Sequence, residues 1–98
     1  MSEVHRADFS VPHTHPALPG HFPGQPRVPG VLLLEEVARA LRAWRGVAVA
    51  GVIEAKFLAP LQPAAVAMIE LRADGAQVRF AIRQGVTLIA RGLLEPAS

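Results

Sequence analysis

The chain has 98 residues, is 51% hydrophobic and 18% charged, and carries a net charge of +2 and no cysteine. That length suits one domain over residues 1–98 and leaves no cleft between domains of its own, while the lack of thiols excludes disulfides, thiolate metal sites and thiol nucleophiles. Nine of the ten basic residues are Arg, but they are scattered among apolar ones rather than gathered into a nucleic-acid stripe; no apolar run is long enough for a bilayer, and MSEVHRADFS holds no leader-like core, so a cytoplasmic domain is expected.

Residues Val4 to Val11 alternate Arg6 and Asp8 against Ala7, Phe9 and Val11, which predicts a half-buried strand. Pro12 to Gly30 then holds six of the nine prolines and three of the eight glycines. Proline fixes φ and removes a donor, so this stretch joins neither a central strand nor a helix. It also carries His13, His15, His21 and Phe22, which a spacer does not need.

A helix is predicted from Pro29, a residue suited to the first helical position, to Trp44 or Arg45, with Gly46 as its stop. Apolar residues surround its first turns, so that half is expected to be buried, with Glu35 inside it. A buried carboxylate is costly unless paired or protonated, which makes Glu35 a candidate for chemistry.

Beyond Gly46 the pattern changes to period two. Strands are predicted at Val47 to Leu58, Val66 to Arg72, Gln77 to Arg83 and Val86 to Leu94, with turns at Asp74-Gly75 and Gln84-Gly85. The expected fold class is α+β, one long helix across an antiparallel meander.

The stretch Gly20-His21-Phe22-Pro23-Gly24-Gln25-Pro26-Arg27-Val28-Pro29-Gly30-Val31, followed by Leu32-Leu33-Leu34-Glu35, is the most informative. It sets an imidazole before a helix start whose N–H groups, around Gly30 and Val31, are free to meet an oxygen gaining charge. A carboxyl group follows about one and a half turns later. A histidine moves protons near neutral pH, and a desolvated carboxylic acid gives one to a leaving hydroxyl. These parts serve proton abstraction beside a carbonyl with loss of water from the β carbon.

The segment resembles the signature loop of the hot-dog-fold 3-hydroxyacyl-[acyl-carrier-protein] dehydratases, GHFPGxPxMPGV, with Val28 where Met is usual. Glu35 stands fourteen residues after His21, as the acid does in that family. Lys56-Phe57-Leu58-Ala59-Pro60-Leu61-Gln62-Pro63 is similar to the family's basic-Phe-x-x-Pro-aliphatic-x-Pro stretch. In its shortness the chain resembles the compact dehydratase-like proteins of aryl-polyene and related lipid clusters more than the housekeeping enzyme. Three features depart from the pattern: Glu36-Val37-Ala38-Arg39 replaces Ala-Met-Ala-Gln, Ala64-Ala65 replaces Gly-Asp, and a single strand is expected before the proline loop where the family has a leading helix and a first strand.

The resemblance implies a hot-dog fold acting as a homodimer or dimer-based oligomer, with each site built from the His of one subunit and the acid of the other. His21 would take the α proton of a 3-hydroxyacyl thioester, and Glu35 would act on the β-hydroxyl. Gly30 would hold the thioester carbonyl through its N–H, with Val31, Phe22 and Phe57 beside the acyl chain. Leu32 and Met68 are further candidates for an acyl tunnel. The implied partner is acyl carrier protein, met by a subset of the arginines. No metal or organic cofactor is expected beyond the phosphopantetheine arm of the substrate.

Plainer readings stand beside these. Glu35 lies four residues before Arg39, on one helix face, where a simple ion pair would hold it. Glu36 reads as a solvated or interfacial charge, and His5 as a strand-surface residue. His13 and His15 form His-x-His without a nearby carboxylate or thiol at ligand spacing. Two other functions remain open: thioester hydrolysis with Glu35 activating water, and a non-catalytic acyl-binding or assembly subunit.

Overall fold

The computed structural model describes residues 4–12 and 28–98. Its elements run in the order β1 (Val4–Phe9), α1 (Gly30–Arg45), β2 (Val49–Phe57), β3 (Ala67–Asp74), β4 (Gln77–Gln84) and β5 (Thr87–Pro96). The strands form one sheet, ordered β1-β3-β4-β5-β2, with antiparallel neighbours throughout. This is the expected single helix against an antiparallel sheet.

Only β3, β4 and β5 form the predicted meander; β2 lies beyond β5, at the sheet edge. The turns explain the difference. Gly75 and Gly85 take φ of +61°, which glycine adopts freely, and they fold β3 onto β4 and β4 onto β5. The connection from β2 to β3 contains Pro60 and Pro63, which lack the N–H groups a tight hairpin needs. The strand after the helix is therefore not tied to β3.

Side chains alternate across the sheet. Ile69 and Leu71 of β3, Val78, Phe80 and Ile82 of β4, and Ala90 and Leu94 of β5 are buried. They form one core with Leu32, Leu33, Val37, Ala40 and Leu41 of α1. Each large side chain removed from water this way contributes about 1.5–3 kcal/mol. Gly92 of β5 is fixed by contact: a β carbon there would overlap the Glu54 carbonyl of β2 and come within 2.5 and 2.7 Å of two Phe80 ring carbons.

The helix begins one residue later than predicted, because Pro29 is its N-cap, with φ −60° and an extended ψ of 145°. Gly46 ends it in the left-handed region at φ 69°, donating its N–H to the Arg42 carbonyl at 2.8 Å. Arg42 and Arg45 occupy the last turn, where the helix dipole favours cations.

One expectation is corrected. The first turns of α1 are not buried all round, since Val31 is 62% exposed and Glu35 is exposed as well. At 3.6 residues per turn, Val31, Glu35, Arg39 and Arg42 share the face opposite Leu33 and Val37. Only the latter face meets the sheet, so within one chain Glu35 has no burial cost to offset.

Residues 58–66 connect β2 to β3 and are held at several points. Leu58 and Ala59 both donate to the Ile89 carbonyl, at 2.8 and 3.2 Å, while Leu61 is buried in the core. Ala64 lies at φ 68° and donates to the Val11 carbonyl at 2.6 Å. A left-handed alanine costs about 1–2 kcal/mol, so the surrounding bonds must hold it there. The Gln84 side chain supplies some of them. Its oxygen accepts from the Gln62 N–H at 2.8 Å, and its nitrogen donates to the carbonyls of Gln62 and Ala65 at 3.1 and 3.3 Å.

Candidate active site

The start of α1 is open to a ligand in two respects. Among the described residues no side chain caps it, and its first turn carries no acid. The Leu32 N–H turns back to the Pro29 carbonyl at 3.0 Å, while among the described residues no acceptor meets the N–H of Gly30 or Val31. Sixteen aligned peptide units add a partial positive charge at this end. The result is a pair of donors suited to an oxygen that gains negative charge.

Phe57, the last residue of β2, lies against this start. A β carbon on Gly30 would sit 3.0 to 3.3 Å from three of its ring carbons. Glycine lets the aromatic ring approach the backbone, and the two sequence-predicted residues thus share one place. Phe57 remains 49% exposed, as does Ile53, while Leu58 is 52% and Val52 46% exposed. An edge strand with these apolar side chains uncovered is a surface for pairing with another chain.

Glu35 lies five residues into α1, about 7.5 Å along the axis from Gly30 at the usual helical rise. The predicted pairing with Arg39 is not the one formed. Arg39 Nη1 binds Glu36 Oε1 at 2.7 Å, and Glu35 has no ion-pair partner among the described residues. Glu36 is accordingly the paired, half-buried acid, and Glu35 the exposed, uncommitted one.

His21, Phe22, His13 and His15 lie outside the described residues. Leu32 belongs to the core. Met68 alternates with the buried Ala67 and Ile69 and pairs in register with Arg83, so it faces away from α1 and does not share a wall with Phe57.

Sequence periodicity missed two arrangements. His5 of β1 stacks on Trp44 with ring centroids 5.9 Å apart and planes 12° from parallel, and Arg45 covers the same indole at 4.1 Å. Partners so far apart in sequence leave no local signal. Gln84 reads as an ordinary turn residue before Gly85; only the fold shows it bonded to Gln62 and Ala65.

Among the described residues no helix is long and apolar enough to cross a membrane.

The match to the family model described as ApeI dehydratase spans residues 2–92. The 3-hydroxyacyl-[acyl-carrier-protein] dehydratase FabZ of Klebsiella pneumoniae is 33% identical over 95 residues, covering 86% of this chain. The chain spans 63% of that relative's length. Among solved structures, the dehydratase heterocomplex ApeI:P from Xenorhabdus doucetiae aligns with a TM-score of 0.83 at 20% identity, covering all of this chain and 95% of the other. A fluoroacetyl-CoA-specific thioesterase, FlK, aligns at 0.66 with 19% identity over 98% of this chain and 91% of its own. These two likenesses establish the hot-dog fold, and the family match, over nearly the whole sequence, establishes membership: the chain belongs to the ApeI-like dehydratase family.

Proposed function

We propose that this protein removes water from a 3-hydroxyacyl thioester carried on acyl carrier protein, giving the trans-2-enoyl thioester. The observation that carries the reading is the uncapped start of α1 at Gly30, set against Phe57, with an uncommitted Glu35 further along the same helix. The thioester carbonyl accepts from the Gly30 N–H, so charge spreading onto its oxygen as the α C–H bond breaks is stabilised by the helix end. His21 takes that proton. The electron pair forms the α–β double bond, the β C–O bond breaks, and Glu35 passes a proton to the departing hydroxyl, which leaves as water. Phe57 and Val31 offer apolar surface to the acyl chain beside the carbonyl.

Each site takes His21 from one subunit and Glu35 from its partner. Support for this comes from the uncovered Val52, Ile53 and Phe57 on edge strand β2, from Leu58 just after it, and from Val31 on the outer face of α1. A second copy covering them would also exclude water from the reacting groups. The names of the FabZ relatives support the carrier-linked substrate and the direction of the chemistry.

The test is turnover of 3-hydroxyacyl thioesters of acyl carrier protein or N-acetylcysteamine, followed by mass spectrometry. Loss of water without release of thiol is the expected result, and His21→Ala should remove it. Release of free thiol instead would establish hydrolysis. Binding without either reaction would establish a non-catalytic acyl-binding subunit.

A further inference from the structure

The face of the sheet turned away from α1 carries a depression of about 210 Å³ that the proposed dehydration does not use. Ala81, at the middle of β4, leaves it open. Its cross-strand neighbours are Glu70 of β3 on one side and Arg91 of β5 on the other. Arg72, Arg79 and Glu54 complete the rim.

The strand register places like charges opposite each other on both sides of Ala81. Arg72 faces Arg79 across β3 and β4, and Lys56 faces Arg91 across β2 and β5. Opposed residues on one face of a sheet have β carbons about 4.5–5.5 Å apart, and like charges there are destabilising. The acids nearby are already engaged. Glu70 is bound by Arg6 and Arg72 at 3.1 and 3.2 Å, Glu54 by Lys56 at 3.3 Å, and Asp74 by Arg79 at 2.7 Å. Arg91 has no carboxylate partner among the described residues. The lining itself holds three cations, Arg72, Arg79 and Arg91, against Glu54 and Glu70. With the ion-pair partners Arg6, Lys56 and Asp74 the network has five cations against three carboxylates, a local excess of two positive charges.

We propose that this depression binds a doubly charged oxyanion of phosphate type, free or as a terminal phosphomonoester, with Arg91 as its principal ligand. Two negative charges match the local excess. Guanidinium groups pair with phosphate oxygens through two parallel N–H bonds, and the volume suits a small ligand. The site is separated from Glu35 by the sheet and is independent of the dehydratase reading.

The experiment is calorimetric and NMR titration of the whole protein with inorganic phosphate and with glycerol 3-phosphate, at constant ionic strength set by chloride. Saturable binding with amide shifts centred on Ala81 and Arg91 is expected. Arg91→Ala and Ala81→Leu should each weaken it at least tenfold, the second by filling the floor without changing charge. Arg42→Ala, an exposed arginine on α1, should stay within twofold. Binding by glycerol 3-phosphate alone would assign an esterified ligand, and equal binding of both a bare phosphate site. Non-saturable responses, or unchanged affinity in Arg91→Ala and Ala81→Leu, would overturn the proposal. So would binding of poly-glutamate where both phosphates fail, which would mark the face as a surface for an acidic protein.

Discussion

Arg39 binds Glu36, at 2.7 Å, and not Glu35. The two acids are adjacent in sequence but differ by 100° around α1, so one arginine settles which of them is structural. Glu36 turns toward the edge of the core and takes the cation; Glu35, on the face shared with Val31, has no ion-pair partner among the described residues.

The first prediction follows directly. Glu35→Gln should lower kcat/KM on a 3-hydroxyacyl thioester by about 10²–10⁴, the usual contribution of a positioned acid or base. Glu36→Gln should leave kcat/KM within about threefold and cost less than about 1 kcal/mol in urea unfolding, because its arginine is 72% exposed. Equal loss of activity in the two variants would contradict the assignment.

At the helix start, Gly30→Ala is expected to spare the fold and harm the reaction. The added methyl meets the Phe57 ring at 3.0 to 3.3 Å, and that half-exposed ring can move aside. Thermal unfolding should shift by no more than about 1 kcal/mol, since alanine also reduces the freedom of the unfolded chain. Turnover should fall at least about tenfold as the ring and the carbonyl site lose their register. Phe57→Ala in the same chain should abolish the steric part, which a double-mutant cycle on stability would read.

Gly92 and Gly51 make a contrasting pair. Gly92→Ala drives a methyl into the Glu54 carbonyl and the Phe80 ring, backbone on one side and core on the other. A loss of about 3 kcal/mol or more is expected, at the upper end for overpacking. Gly51, also on a sheet strand, has nothing within 4 Å of the same position, so Gly51→Ala should be neutral or stabilising by up to about 1 kcal/mol. Urea midpoints for the two variants decide this.

Gln84→Ala removes three hydrogen bonds to residues 62 and 65. Because they are exposed to solvent, the expected cost is about 1–2 kcal/mol in total, with faster hydrogen exchange at the Gln62 amide. Gln84→Glu keeps the acceptor for the Gln62 N–H but neither donor, and should recover only that amide's protection.

Much of this fold can be read along the chain. Period-two patterning located each strand of the sheet to within three residues, and Gly75 and Gly85 marked their turns, because alternation and positive φ are local properties. The edge position of β2 was not legible, since a proline-bearing connection excludes a hairpin without naming a destination. The exposure of Glu35 is not legible for a related reason. Apolar residues all round a helix start signal burial, but only one face of α1 meets the sheet and Val31 on the other is 62% exposed. The choice of Glu36 by Arg39 depends on side-chain geometry at spacings of three and four, both of which the sequence permits. Gly30 and Phe57 were legible as separate motif residues, and only the fold brings them into contact.

Edge strand β2 gives a further prediction. Ile53→Asp places a charge on a residue that is 49% exposed in the single chain. Its effect on monomer stability should be small, within about 0.5–1 kcal/mol. If the strand pairs with a second copy, sedimentation should show dissociation, with activity lost in parallel.

Subunit mixing tests most directly whether two copies of the chain share one reaction centre. His21→Ala and Glu35→Gln, each inactive alone, are unfolded together at equal amounts, refolded and assayed. In a symmetric dimer half the particles become hybrids with one intact site of two, so about a quarter of wild-type activity should return. Activity no higher than that of the separate variants, from refolded mixed dimers, would mean that His21 and Glu35 do not meet across the subunits.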